Sequence, residues 1–283
     1  ARSPVPARKN LLFAGDSYIE KNQEGLVERK ILKNKPLVEA IFELKWQLQE
    51  PNPGMKFDPH YKILIGRVYD RVKEEYPFHE QLPTATMPDE IAGYVVQHRF
   101  RKQKNEWPLI QIGPGIITLN DTKNYVWEDF ERRANHLLDV LFDAYPDAET
   151  NLNVNWLLLR YIDSVDFYYD KEDIFEFLKD KLKLNIVLYE KLFEKTGVKN
   201  IPLGFDLRFS FPATKPKGAV HLRFLRGKDE GKDALIWETH VQSVGEQVPK
   251  TKIKIRSWID EAHTLTDDWF FKMIEGDLLR RFE

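Results

Sequence analysis

The chain has 283 residues, 42% hydrophobic and 13% aromatic, a globular composition with ample material for a buried core. Its 43 basic and 45 acidic residues leave a formal charge of −2, so no global positive field marks it as a nucleic-acid coat. Cysteine is absent, which excludes disulfides, thiolate zinc sites, iron–sulfur clusters and a cysteine nucleophile.

No apolar run approaches the roughly 20 residues of a membrane helix. Leu11–Gly15 is too short for a secretory signal, so a cytoplasmic protein with no membrane partner is expected. Residues 1–34 mix Pro, Arg, Lys and Asn without a sustained period, and predict an N-terminal arm with a short helix around Ser17–Leu32.

The first clear element starts at Pro36. Val38, Ala40, Phe42, Leu44 and Trp46 share one face, while Glu39, Glu43 and Lys45 share the other, a period of two that predicts a half-buried strand. Asp58-Pro59 then reads as a helix start, with a carboxylate cap before a proline. Tyr61, Leu64, Ile65, Val68, Tyr69, Val72 and Tyr76 recur at three and four, predicting an amphipathic helix that ends at Pro77. A loop over Phe78–Glu90 leads to strands at Ala92–Lys102, Trp107–Ile112 and Gly115–Asn120. Gly113-Pro114-Gly115 supplies a hairpin turn between the last two. A helix from about Tyr125 to Tyr145 carries Trp127, Phe130, Ala134, Leu137, Leu138 and Leu141 on one stripe.

The same order recurs. Asn153–Tyr169 is a long strand, and Asp170 caps a helix whose stripe is Ile174, Phe175, Leu178 and Leu182. A second helical stretch is expected over Ile186–Thr196, then strands at Pro202–Phe211, Ala219–Leu225 and Ala234–Ser243. Lys250–Arg256 alternates basic residues with others and predicts an added edge strand, since edges tolerate Lys rows. A closing helix begins near Trp258.

The expected fold is α+β: an arm over 1–34 and two β-α-β-β-β-α halves, 35–148 and 149–283. Together they would form one extended, curved antiparallel sheet with packed helices. By analogy the order resembles the TATA-binding-protein-like and helix-grip arrangements, which serve different ligands in different proteins.

The run Pro36-Leu37-Val38-Glu39-Ala40-Ile41-Phe42-Glu43-Leu44 resembles one family, the "sporadically distributed" group of uncharacterised bacterial and archaeal proteins. Gly113–Asn120, Tyr125 with Trp127-Glu128-Asp129-Phe130, Leu159-Arg160-Tyr161-Ile162-Asp163, and His263 with Phe270 are similar to it as well, so the likeness spans about residues 34–283. It implies no activity. The patchy occurrence of that family implies a prokaryotic accessory or defence-related role.

Candidate chemistry is sparse. Glu43-Leu44-Lys45 has the form of the acidic-x-Lys element of a metal-dependent nuclease, but no strand carrying a second carboxylate precedes it. The seven histidines show no metal spacing and there is no Gly-x-Ser-x-Gly elbow, so neither a metal site nor a cofactor is expected. His221 and His240 are placed as cross-strand neighbours, and His136 and His263 lie on the closing helices.

Arg160 and Tyr161 on the central strand, with Arg99 and Arg101 on a basic strand near Phe100 and Trp107, are the candidate ligand-binding residues. An inward arginine needs an anionic partner, either a ligand or a structural acid. The expected function is non-enzymatic binding, with a protein partner, self-association or a small ligand. The alternative is nucleic-acid binding through the local basic strands His98–Lys104 and Lys250–Arg256, or a divergent nuclease at Glu43 and Lys45.

Overall fold

The computed structural model describes residues 12–14, 17–22, 25–122 and 124–283. It opens with a small antiparallel sheet of β1 (Leu12–Ala14), β2 (Ser17–Asn22) and β3 (Gly25–Lys30). The helix expected around Ser17–Leu32 is therefore replaced by a hairpin, consistent with a segment lacking any helical period. Residues 1–11, 15–16 and 23–24 of the expected arm lie outside the described residues.

The body of the protein is one nine-stranded antiparallel sheet. Strand β4 (Leu37–Trp46) is followed by a two-stranded ribbon, β5 (Gln49–Asn52) with β6 (Met55–Phe57), and by helix α1 (Tyr61–Val72). Then come β7 (Phe78–Gln81), β8 (His98–Arg101), β9 (Leu109–Gly113), β10 (Ile116–Asp121) and helix α2 (Trp127–Ala144). A short α3 (Ala148–Asn151) leads into β11 (Val154–Asp166) and α4 (Ile174–Leu182). The chain closes with β12 (Asp206–Thr214), β13 (Lys217–Asp229), β14 (Lys232–Val244), α5 (Lys252–Ile274) and α6 (Asp277–Phe282). Across the sheet the order is β12-β13-β14-β11-β4-β10-β9-β8-β7. The antiparallel pair β4–β11 thus lies inside the sheet, with the earlier strands beyond β4 and the later ones beyond β11.

The alternation of β4 explains its place. Ala40, Phe42, Leu44 and Trp46 are fully buried and join Leu157 and Leu159 of β11 under the helices. At the start of the strand the register with β11 shifts between Ile162 and Asp163, so that Asp163 lies opposite Leu37. Such a bulge re-aims side chains. Leu37 is buried where regular alternation would bury Val38.

Helix α1 buries Tyr61, Leu64, Val68 and Val72, the stripe its period predicts, but its cap differs from the sequence expectation. His60 is the capping position, and the Asp58 carboxylate accepts from His60 N (2.9 Å), Trp46 Nε1 (2.8 Å) and the Tyr145 hydroxyl (3.0 Å). Asp58 ties strand, helix start and α2 end together. Asp173, not Asp170, caps α4, accepting from the amides of Phe175 and Glu176.

Other expectations are corrected. The loop over Phe78–Glu90 contains β7, which extends the sheet, and the strand expected over Ala92–Lys102 is confined to His98–Arg101. Ile186–Thr196 holds only one 3-10 turn, Glu190–Leu192; Ile186 packs against the smaller cluster, but Val187, Leu188, Tyr189 and Leu192 stand exposed, so no buried face supports a longer helix. Lys250–Arg256 is not a strand. Helix α5 begins at Lys252, with the Thr251 hydroxyl capping it, so that Ile255, Trp258, Ile259 and Ala262 meet the core. Tertiary burial at a period of 3.6 overrides the local alternation.

Two apolar clusters form under the sheet. The larger joins β4, β9, β10 and β11 to α1, α2 and the first half of α5. The smaller joins the ends of β11, β13 and β14 to α4, α6 and Ile274. Helix α5, about 35 Å long at 1.5 Å per residue, serves both.

Candidate functional site

Where the two clusters meet, a cavity of about 160 Å³ lies between the sheet, the start of α2 and the second half of α5. Leu37 and Trp127 come from one cluster, Leu32, Phe270 and Phe271 from the other. Between these apolar walls stand Asp163 of β11 and Thr239 of β14, with Tyr161 and His263 alongside. The volume suits a ligand built around a single ring, since engineered cavities of about 150 Å³ bind benzene.

The strand alternation puts Leu159, Tyr161 and Asp163 on the helix side and Arg160 on the other. The Tyr161 hydroxyl lies 2.8 Å from that of Tyr125 and 3.0 Å from His263 Nδ1. The His263 ring stacks on Trp127, with centroids 3.6 Å apart and planes 13° from parallel. This chain of groups pins α5 to β11 and to the start of α2. Desolvation raises the Tyr125 hydroxyl well above its ordinary pKa, and the neighbouring Tyr161 adds to the effect.

Asp163 is the exceptional group. It is only 3% exposed, and no hydrogen bond or ion pair reaches its carboxyl from the described residues. Desolvation pushes its pKa up to about 8, so it is protonated at neutral pH. Thr239, opposite Tyr161 in the register, has a buried hydroxyl that also lacks a partner. Buried polar groups are ordinarily paired, so these two can take a hydrogen-bonding partner from within the cavity. At the rim, Lys35 donates to the Tyr125 carbonyl. Burial lowers its pKa against the opposing pull of Asp121 and Glu128.

Of the four candidate ligand-binding residues, Arg160, Tyr161, Arg99 and Arg101, Tyr161 alone lines this cavity. Arg160 points to the opposite face, where Nη2 meets Glu238 at 2.7 Å. Glu238 also meets Arg223, and Arg223 meets Asp206, so a line of alternating charges runs across β11, β14, β13 and β12. His240 stacks on His221 beside it, with centroids 4.4 Å apart. Burial first, then His221 and Arg160, depress the His240 pKa to about 4.

On the far side of the same face, Arg99 donates to Gln111 and lies 3.9 Å from Glu80, while Arg101 donates to Glu80 and to the Glu106 carbonyl. Phe100 is fully buried in the core and offers no ring for stacking. Lys252 and Arg256, in the second basic stretch, pair with Asp139 of α2. Glu43 and Lys45 form an ion pair with each other at 2.8 Å, with Lys45 over the Trp156 ring. Among the described residues no cluster of three or more His or carboxylate groups is arranged to hold a metal.

Asp163, Thr239 and Trp127 were missed as site residues by sequence reasoning. Asp163 carried a signal, a carboxylate on the apolar face of a strand, but only the packing of α5 reveals that nothing among the described residues answers it. No protein-family model matches this chain, and a comparison with curated proteins finds no match.

Proposed function

We propose that this protein binds a small ligand in the cavity between β11, β14 and α5 and performs no chemistry on it. The observation that supports this reading is the unpartnered Asp163 carboxyl, 3% exposed, beside a single-ring cavity with aromatic walls. Groups of this kind fix the orientation of a ligand whose body is held by apolar contact.

The topology supports a finer reading of the fold. The order strand, helix, three sheet strands, helix applies on both sides of the β4–β11 pair, apart from the added β7 and the β5–β6 ribbon. We read the sheet as one α+β unit used twice, resembling TATA-binding-protein-like or helix-grip architecture, with the ligand near its central seam. Tyr161, Asp163 and His263, three of the cavity's side chains, fall within the motifs that resemble the sporadically distributed family. This supports an accessory, binding role.

Ligand-observed NMR against a set of neutral and charged one-ring compounds tests the proposal. Binding to the wild type that is lost in Thr239→Leu, which fills the cavity wall, would uphold it. Compounds that bind neither protein, or bind both equally, would overturn it.

A second reading is favoured by one surface feature. Segment 183–205 exposes Val187 (80%), Tyr189, Leu192, Ile201 and Leu203 (93%) next to edge strand β12. Clustered exposed apolar residues mark protein contacts. Changing Val187, Leu192 and Leu203 together to Ser should abolish any concentration-dependent mass seen by light scattering; a chain monomeric at all concentrations would remove self-association.

A further inference from the structure

Resting on the reading that this cavity holds a small molecule, we infer the class of that molecule: a protonated amine on an aromatic or apolar body, its ammonium paired with Asp163 and Thr239. Three observations carry this. Asp163 is 3% exposed, lines the cavity and has no partner among the described residues, so once its proton has left it offers a cation a carboxylate that nothing else engages. The Thr239 hydroxyl, likewise buried and without a partner, supplies a second oxygen. The walls are rich in aromatic rings, Tyr125, Trp127, Tyr161, Phe270 and Phe271, which suit both an apolar body and a cation.

The charge balance agrees. Among the described residues, the titratable groups that line the cavity are Lys35, Tyr125, Glu128, Tyr161, Asp163, His263 and Asp267. Glu128, Tyr161, His263 and Asp267 have partners of their own, which leaves Asp163 as the carboxyl open to a ligand. Lys35 is turned to the Tyr125 carbonyl, and its charge is weakened by burial and answered by Asp121 and Glu128. An anionic ligand would find no compensation in the Asp163 carboxyl. A neutral ligand would leave Asp163 without compensation whenever it ionised.

A further consequence separates a cation from a neutral molecule. In the free protein Asp163 is protonated at pH 7, because burial raises its pKa to about 8. An ammonium beside it favours the carboxylate, so binding must expel the proton. Affinity for an amine therefore rises with pH from 6 towards 8, while affinity for a neutral analogue does not.

Benzylammonium and benzyl alcohol, nearly equal in size, are the probes, titrated calorimetrically into the full chain at pH 7. Benzylammonium should bind at least about tenfold more tightly, as expected for a charge-assisted bond. Repeating the titration in buffers of different ionisation enthalpy should show release of about one proton. Asp163→Asn, with folding confirmed by circular dichroism, should lose the preference and the proton release yet still bind benzyl alcohol.

Equal binding of the two probes, or binding of the amine without proton release, would overturn the cationic class while the cavity reading stands. A preference that survives in Asp163→Asn would remove Asp163 as its anchor. Failure of both probes to bind the wild type would overturn this inference and the cavity reading together. The wild-type proton release decides the matter even if the variant does not fold.

Discussion

The Tyr161 hydroxyl bridges two elements far apart in the chain, lying 2.8 Å from the Tyr125 hydroxyl and 3.0 Å from His263 Nδ1. Tyr125 sits at the entrance to α2 and His263 in the middle of α5, so one side chain of β11 fixes both helices over the sheet. Tyr161→Phe keeps the ring and removes the bridge, leaving the half-buried Tyr125 hydroxyl without this partner. An unmade buried hydrogen bond costs about 1–3 kcal/mol, and urea unfolding of the variant should show a loss in that range. A loss under about 0.5 kcal/mol would mean that the two helices are held by apolar packing alone.

Asp163 predicts an unusual pH dependence. Its folded pKa, about 8, lies above its ordinary value of 3.8 because burial penalises the charged form. The folded state therefore holds a proton that the unfolded state releases. The contribution to stability is fully present below pH 3.8 and declines as pH rises to about 8, by roughly 1.4 kcal/mol per unit. Asp163→Asn removes this dependence. Its advantage over the wild type should grow between pH 5 and pH 8 in parallel denaturation series, and a constant difference would show that the carboxyl ionises freely in the fold.

Much of this architecture is legible in the sequence because the pattern agrees with the final packing. The alternation Ala40, Phe42, Leu44, Trp46 and the stripe Tyr61, Leu64, Val68, Val72 both end in the core. The failures share a cause. Lys250–Arg256 has two readable periods, alternating as a strand but also the start of a helical stripe through Ile255, Trp258 and Ile259. Only contact with α2 and β14 selects the second. Arg160 is legible as needing an anion, but sequence alone does not show that Glu238, on the neighbouring strand, provides it. The cavity is the least legible feature of all, since it depends on a bulge beside Asp163 and on residues over 100 positions apart, as with Tyr161 and His263.

Asp58 should be among the most sensitive buried polar positions. Its carboxylate satisfies the Trp46 indole and the Tyr145 hydroxyl at once, and both donors are buried. Asp58→Ala strands the two and releases the turn held through His60 N. With about 1–3 kcal/mol for each of the two orphaned buried donors, the expected loss is roughly 2–6 kcal/mol, measured by urea unfolding monitored through tryptophan fluorescence. Because Trp46 reports directly, its emission should also shift in the folded variant. An unchanged spectrum and midpoint would show that water replaces the carboxylate without cost.

The line of charges on the opposite face gives a graded prediction. Glu238 is buried between Arg160, at 2.7 Å, and Arg223, at 3.4 Å, whereas Asp206 beyond them stands in solvent. Exposed ion pairs contribute little and are screened by salt, but an arginine left on a half-covered strand without its acid has lost what offset its desolvation. Glu238→Ala should thus destabilise by about 2–3 kcal/mol, largely unchanged in high salt. Asp206→Ala should have a smaller effect that fades as salt is added. A double-mutant cycle with Arg160→Met separates the pair from the rest. If Glu238→Ala in the Arg160→Met background costs as much as in the wild type, the arginine is not held by that acid, and it would again be available to bind an anion from outside.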